Sequence, residues 1–240
     1  MGSSLAEPSV VLHPRGILFD MDGVLISSIG SVERSWEKWA LARGIDPALA
    51  IHTAHGRRAI ETVRLLRPDL NDQLELDWIE QMEVADNVGL DVLPGVCRIL
   101  DALPEKSWTV VTSATDRLAR SRMAHAGVPV PTRIVSADIV THGKPDPEPF
   151  LNGAALLGLN PADCLVIEDS ASGAKAGHVA GCKVLATLFS HSLESLSDAD
   201  WIVRSLEDVQ VRTENGSLEI GFAPVPRSAA ARESAMATHL

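Results

Sequence analysis

The stretch Gly16-Ile-Leu-Phe-Asp-Met-Asp-Gly-Val-Leu25 decides how the rest of the chain is read. Ile17, Leu18 and Phe19 form a short apolar run, the pattern of a strand buried on both faces. Asp20 and Asp22 follow at once, and Gly23 allows a sharp turn. Carboxylates at the end of a buried strand need partners, because burying unpaired charge is costly. A hard divalent cation with oxygen ligands is the simplest partner for two of them. A plain turn is the other reading, since Asp and Gly are common turn residues. The stretch alone leaves both open, and later stretches favour the first.

A chain of 240 residues suits one large domain or a core with an insertion. Its 45% hydrophobic and 22% charged residues place it with soluble globular proteins. A net charge of −11 argues against nucleic acid, which needs a basic surface, but leaves room for a small phosphorylated ligand. Cys97, Cys164 and Cys182 are odd in number and show no CxxC spacing, so reduced thiols in a cytoplasmic protein are expected. No apolar run reaches the ~18 residues of a membrane span. Residues 1–9 lack the basic and apolar regions of a secretory signal. Met1-Gly2 resembles a myristoylation start, but Ala6 occupies the position that wants Ser or Thr. A monomer acting on a small molecule, with neither nucleic acid nor membrane as partner, is the expectation.

Ile29, Val32, Trp36, Trp39 and Ala40 fall at helical spacing before Gly44, which predicts a helix over 29–43. Trp36 and Trp39 read as core rather than as a ligand platform. Helices are also expected over 58–67, stopped by Pro68, and over 72–88. Ile26 to Asp91 is therefore expected to be wholly helical. From Pro94-Gly95 onward, helices at 96–103, 116–126, 147–157 and 172–180 alternate with apolar strands. Those strands are expected at 107–111, 133–135, 164–167, 184–188 and 201–203. Such alternation implies a parallel sheet covered on both faces. The fold class is α/β, a Rossmann-like parallel sheet core with an inserted all-helical cap domain. The core is expected over 10–25 and 94–225 and the insertion over 26–93. Alternation on either side of Asn215-Gly216 predicts a hairpin, and the Ala- and Ser-rich residues 226–240 a frayed tail.

In an open parallel sheet, ligands bind beyond the carboxyl ends of the strands. The first apolar run ends in Asp20 and Asp22, Trp108–Val111 ends in Thr112-Ser113, and Cys164–Ile167 ends in Glu168-Asp169. Gly143-Lys144-Pro145 lies in the loop after residues 137–140. All four groups are expected on one edge. Lys144 alternatively makes a surface salt bridge, worth little, but its Gly and Pro neighbours suggest a fixed loop. These parts suit phosphoryl transfer. Asp20 can attack phosphorus and form an aspartyl-phosphate. An anion approaching an anion needs neutralisation, from Mg²⁺ and from a lysine. Asp22 can act as general acid and then deprotonate water. Ser113 and the following backbone N–H, that of Ala114, can hold phosphate oxygens without charge.

Asp20-Met-Asp22-Gly-Val, Thr112-Ser113, Gly143-Lys144-Pro145 and Glu168-Asp169-Ser-x-x-Gly173 resemble the four motifs of the haloacid dehalogenase superfamily, in the family's order. The insertion between the first and second motifs is similar to the helical-cap branch that includes β-phosphoglucomutase. Residues 51–58, 102–110, 143–150 and 180–184 look closest to the small-sugar and polyol phosphatases, including those for 2-deoxyglucose 6-phosphate and glycerol phosphate. The resemblance implies that Asp20 is nucleophile and Mg²⁺ ligand, and that Asp22 is acid/base and ligates through its carbonyl. It implies that Ser113 and Lys144 clamp the phosphoryl group. Glu168 and Asp169 become the remaining metal carboxylates. Ser27-Ser28 departs from the Asp-Ser that relatives often carry, which leaves the chemistry intact.

Specificity is expected to lie in the insertion, with His55, Gly56, Arg57 and Arg58 as candidates. Arginine offers a planar fork suited to phosphate or vicinal hydroxyls, although a solvated helix start explains the same residues. The insertion is expected to close over substrate and exclude water. The function expected is hydrolysis of a small sugar or polyol phosphate. The four motifs do not separate this from a β-phosphoglucomutase-type mutase. A dehalogenase has no need of Asp22, and a phosphonatase needs a cap lysine, where only Lys38 stands. A non-catalytic binding module is disfavoured because no motif carboxylate or lysine is missing.

Overall fold

The computed structural model describes residues 8–214 and 217–227. The chain begins with strands β1 (Val10–Leu12), β2 (Gly16–Phe19) and β3 (Ile26–Ser27). Helices α1 (Ile29–Arg43), α2 (Pro47–Ala54), α3 (Ala59–Leu66) and α4 (Asp72–Ala85) follow, then strand β4 (Asp91–Val92). Next come α5 (Val96–Ala102), β5 (Trp108–Val110), α6 (Asp116–Ala126), α7 (Glu148–Leu157), β6 (Cys164–Glu168) and α8 (Ala171–Val179). Strands β7 (Lys183–Thr187), β8 (Trp201–Val203), β9 (Gln210–Glu214) and β10 (Ser217–Phe222) complete the order.

Alternation within β2 explains its central place. Ile17 and Phe19 join one apolar cluster while Leu18 joins the other, so both faces are covered. The five-stranded sheet has the order β5-β2-β6-β7-β8, and every pairing in it is parallel. Helices therefore lie on both faces, and the three strands that end in polar groups are neighbours. A second sheet, antiparallel in the order β1-β10-β9, packs against one side. Its β9–β10 pairing matches the expected hairpin, whose Asn215-Gly216 turn lies outside the described residues. Arg227 donates to the carbonyls of Leu196, Ser197 and Ala199, which holds the chain to the core as far as that residue. The rest of the expected tail, 228–240, lies outside the described residues.

Helices α1 to α4 build a cluster of their own around Trp36, Trp39, Ala50, Val63 and Ile79. The two indoles meet edge to face with centroids 5.2 Å apart, as core residues. Trp39 Nε1 donates to Glu75 at 2.7 Å, and Arg43 completes the pair at 2.8 Å, so the buried carboxylate is satisfied.

The structure corrects the sequence reading in three places. Ile26 to Asp91 is not wholly helical: β3 and β4 pair antiparallel where the insertion leaves and rejoins the core. Helix α2 was missing from the reading because Ala48, Ala50 and Ala54 give little apolar contrast. Asp46 caps it by accepting from Ala48 N–H, and Pro47 starts it. The strand expected at 133–135 is a single bridge between Val111 and Val135.

Candidate active site

Asp20 leaves β2 still bound to the sheet. Its N–H donates to Ile167 O at 2.9 Å, while Val111 N–H donates to Phe19 O at 2.8 Å. The residue is thereby fixed between the ends of β5 and β6. The loop before α7 brings Lys144 underneath, through a cis Lys144–Pro145 peptide. All three ammonium donors are used: Nζ lies 2.6 Å from Asp20 Oδ1, 2.7 Å from Glu168 Oε1 and 3.1 Å from Val111 O. Asp20 Oδ2 accepts no hydrogen bond among the described residues.

Glu168 ends β6 and is fully buried. Its Oε2 accepts from Asp169 N–H, Ser170 N–H and Ser170 Oγ at 2.8, 2.8 and 2.9 Å. Ser170 also caps α8 by accepting from Gly173 N–H. Two glycines let the carboxylates approach. A Cβ on Gly173 would lie 1.7 Å from Glu168 Oε1, and one on Gly23, whose φ is +84°, would lie 1.9 Å from Asp169 Oδ2.

Burial dominates the electrostatics. It pushes the Asp20 carboxyl up to about 7 against the pull of Lys144, with Glu168 adding to the rise. Burial and the neighbouring Glu168 and Asp20 raise Asp169 well above its ordinary value. Burial opposes ionisation of Glu168 too, but Lys144 and the N–H groups of Ser170 and Asp169 together outweigh it and hold that carboxyl low. The same carboxylates hold the Lys144 ammonium above its ordinary value, against the effect of burial.

The four sequence motifs thus meet at one sheet edge, and the chain comparisons agree with that geometry. Residues 14–181 match the haloacid dehalogenase-like hydrolase family. This chain belongs to that family. The hydrolase is 36% identical over 212 residues to hexitol phosphatase A of Escherichia coli, covering 86% of this chain and 98% of that protein. It is 30% identical over 221 residues to glycerol-1-phosphate phosphohydrolase 2 of Saccharomyces cerevisiae, covering 86% of this chain and 88% of that one. Among solved structures, the β-phosphoglucomutase of Clostridium difficile superposes with a TM-score of 0.70 at 20% identity, over 82% of this chain and 93% of that one. That likeness concerns the fold.

The residues of the hydrolase fit a divalent cation. Asp20, Glu168 and Asp169 each offer a buried carboxylate oxygen, and these oxygens lie within 4.8 Å of one another. One ammonium touches two of the three carboxylates. Buried hard oxygen donors with more negative than positive charge are the donor set such a cation takes.

A cavity of about 430 Å³ opens over this edge, between the sheet and the helical insertion. Asp20, Asp22, Ser113 and Ala114 line its floor, and His55, Gly56, Arg57 and Arg58 line the facing side. Ala114 N–H donates to Thr112 Oγ1 at 3.1 Å, so in this conformation it is already engaged. Arg58 is buried: Nε donates to Glu61 at 2.8 Å, and its other nitrogens donate to Val140 O and Thr141 O at 2.8 Å. It fastens the insertion to the Lys144 loop, where Glu61 also accepts from Gly143 N–H at 3.2 Å. Arg57 is exposed at the cavity side. His55 Nε2 is buried without a partner among the described residues, and burial holds the imidazole below its ordinary value.

Sequence reasoning missed the other contacts between insertion and core. Thr115 donates to Glu80 of α4, and Arg117 pairs with the same carboxylate at 3.0 Å. Arg122 of α6 donates to Asp22 Oδ1 at 2.9 Å and to Glu83 of α4 at 3.3 Å. A signal for Arg122 was present: it sits on the helix face of Leu118, Ala119 and Met123.

Proposed function

We propose that this hydrolase is a Mg²⁺-dependent phosphatase of small sugar or polyol phosphates, working through an aspartyl-phosphate on Asp20. The observation that carries the reading is Asp20 itself. Lys144 and the backbone hold it rigid by Oδ1 and N–H, while Oδ2 is left free beside a cavity that Asp22 also lines. A fixed nucleophile keeps a near-attack geometry without further ordering cost.

In the first step Asp20 Oδ2 bonds to phosphorus and the bond from phosphorus to the sugar oxygen breaks. Asp22 gives its proton to the departing oxygen. In the second step Asp22 takes a proton from water, the water oxygen bonds to phosphorus, and the Asp20–phosphorus bond breaks to release inorganic phosphate. Ser113 hydroxyl donates to a phosphoryl oxygen throughout, and the Lys144 ammonium, its three donors already engaged, supplies a fixed positive charge beside it. Asp20, the Asp22 carbonyl, Asp169 and Glu168 are the groups that would hold Mg²⁺, with Glu168 mainly anchoring Lys144 because both its oxygens are already bonded. When bound, the cation neutralises charge between two anions.

The helical insertion acts as a cap domain over 26–93, with His55, Gly56, Arg57 and Arg58 on its substrate side. The relatives act on hexitol and glycerol phosphates by name, and a cavity of about 430 Å³ has room for either. We read the protein as a monomer, and its three free cysteines accord with a reducing, cytoplasmic setting. The test is a panel of sugar and polyol phosphates assayed with Mg²⁺ and with chelator. Phosphate release from polyol phosphates, lost on chelation, is expected. No release from any member overturns the reading, and phosphate reappearing on a second hydroxyl assigns a mutase instead.

A further inference from the structure

Helix α6 places Leu118, Ala119, Arg122 and Met123 on its buried face, and the arginine among them is only 2% exposed. Packing does not explain that charge. A methionine of similar length would fill the space without the desolvation cost, which a buried ion pair often fails to repay. Arg122 Nε is buried with no partner among the described residues, so the guanidinium is not even fully satisfied. What it does have is two carboxylates from opposite sides of the cavity. Nη1 donates to Asp22 Oδ1 at 2.9 Å, in the turn after β2. Nη2 donates to Glu83 Oε1 at 3.3 Å, on α4 of the insertion, where Glu83 is itself 5% exposed. Among the described residues Asp22 Oδ2 makes no hydrogen bond, and the residue borders the cavity.

We propose that Arg122 is a positioning residue for Asp22, and that Glu83 ties this positioning to the seating of the helical insertion. The inference rests on the reading of Asp22 as acid and base. By holding Oδ1, Arg122 turns Oδ2 toward the substrate oxygen that must be protonated. Glu83 reaches Arg122 only when α4 lies against α6, so Arg122 is fully braced only with the insertion seated over the cavity.

The test compares Arg122→Met, Arg122→Lys and Glu83→Gln on two substrates. Glycerol 1-phosphate needs a proton on its leaving oxygen; 4-nitrophenyl phosphate does not. For Arg122→Met, kcat on glycerol 1-phosphate should fall about 100-fold, within the range of general acid–base catalysis, with KM changed by no more than about threefold. The first-turnover burst of nitrophenol should stay within about threefold of the parent enzyme, followed by slow steady-state turnover because water attack still needs Asp22. Arg122→Lys should restore part of the loss. Glu83→Gln, which keeps an acceptor but not the charge, should show the same split at about five- to tenfold. Equal loss of burst and of glycerol 1-phosphate turnover in both Arg122→Met and Glu83→Gln would assign these residues a merely structural role, and unchanged kcat in both removes the proposal. Asp22→Asn run in parallel separates the two readings: if it keeps full turnover, the role of Asp22 fails rather than that of Arg122.

Discussion

Lys144 Nζ lies 2.6 Å from Asp20 Oδ1, although 124 residues separate them in the chain. The pair is the centre of the site. Its ammonium also holds Glu168 and the Val111 carbonyl, so one side chain fastens the ends of β2, β5 and β6 together. Both members are nearly dry, at 3% and 7% exposure, which makes each dependent on the other.

Replacing Lys144 by Met should therefore cost stability as well as rate. Asp20 and Glu168 would be left buried without their cation, a loss of about 3–5 kcal/mol by comparison with broken buried pairs. Turnover should fall at least about 100-fold, because phosphoryl charge loses a fixed counter-charge. Denaturant melts and steady-state kinetics check both, and Mg²⁺ should recover part of the stability but not the rate. Lys144→Met with near-parent kinetics would contradict the role given to the ammonium.

Metal-free protein should lose stability as pH rises from the acid range toward neutrality. Asp20 is raised from 3.8 to about 7, so the folded protein keeps a proton that the unfolded chain has released. Asp169 and Glu83 are raised in the same direction. Each contributes stability that is fully present below its unfolded value and lost as pH climbs through its folded one. Thermal melts in chelator should fall between about pH 4 and about pH 7, and Asp20→Asn should flatten that slope. Saturating Mg²⁺ should oppose the fall, since the cation competes with the same protons. Melts that rise with pH in chelator would rule out the buried protons.

Gly173→Ala tests how tightly the carboxylates are cradled. The added methyl would lie 1.7 Å from Glu168 Oε1, so Glu168 must move. Overpacking of this kind costs about 1–3 kcal/mol. Mg²⁺ affinity, read by calorimetry, should drop with it, because Glu168 and Asp169 share one turn. Unchanged metal affinity would mean that the turn relaxes freely.

Much of the site was legible because its parts sit at abrupt changes of character. Asp20, Ser113 and Glu168 each come within a few residues of a buried apolar run, and a parallel sheet gathers such ends at one edge. Lys144 was legible from its Gly and Pro neighbours. The contacts that seat the insertion were not. Arg58 read as a donor to substrate, but besides Glu61 its partners are carbonyls 82 and 83 residues away, which no local pattern marks. Glu80 and Glu83 carry no local mark of their contacts either, since charge on a helix is ordinarily solvated. Helix α2 escaped because alanine carries little periodic contrast, although Asp46-Pro47 signalled its start.

Arg58→Ala should loosen the insertion. Its bonds to Glu61, Val140 O and Thr141 O would be lost. We expect a stability cost of about 1–3 kcal/mol and a KM for polyol phosphate raised about tenfold, with kcat less affected. Hydrogen exchange at α3 should rise in parallel. An unchanged KM with unchanged exchange would show that the seating does not depend on this arginine.

The central claim, that phosphate passes through Asp20, has a direct measurement. The enzyme is mixed with glycerol 1-phosphate and Mg²⁺, quenched in acid within the first turnovers, digested and weighed. One phosphoryl group on the peptide carrying Asp20, absent from Asp20→Asn, is the predicted result. A phosphoryl group on another peptide, or full turnover by Asp20→Asn, would contradict it.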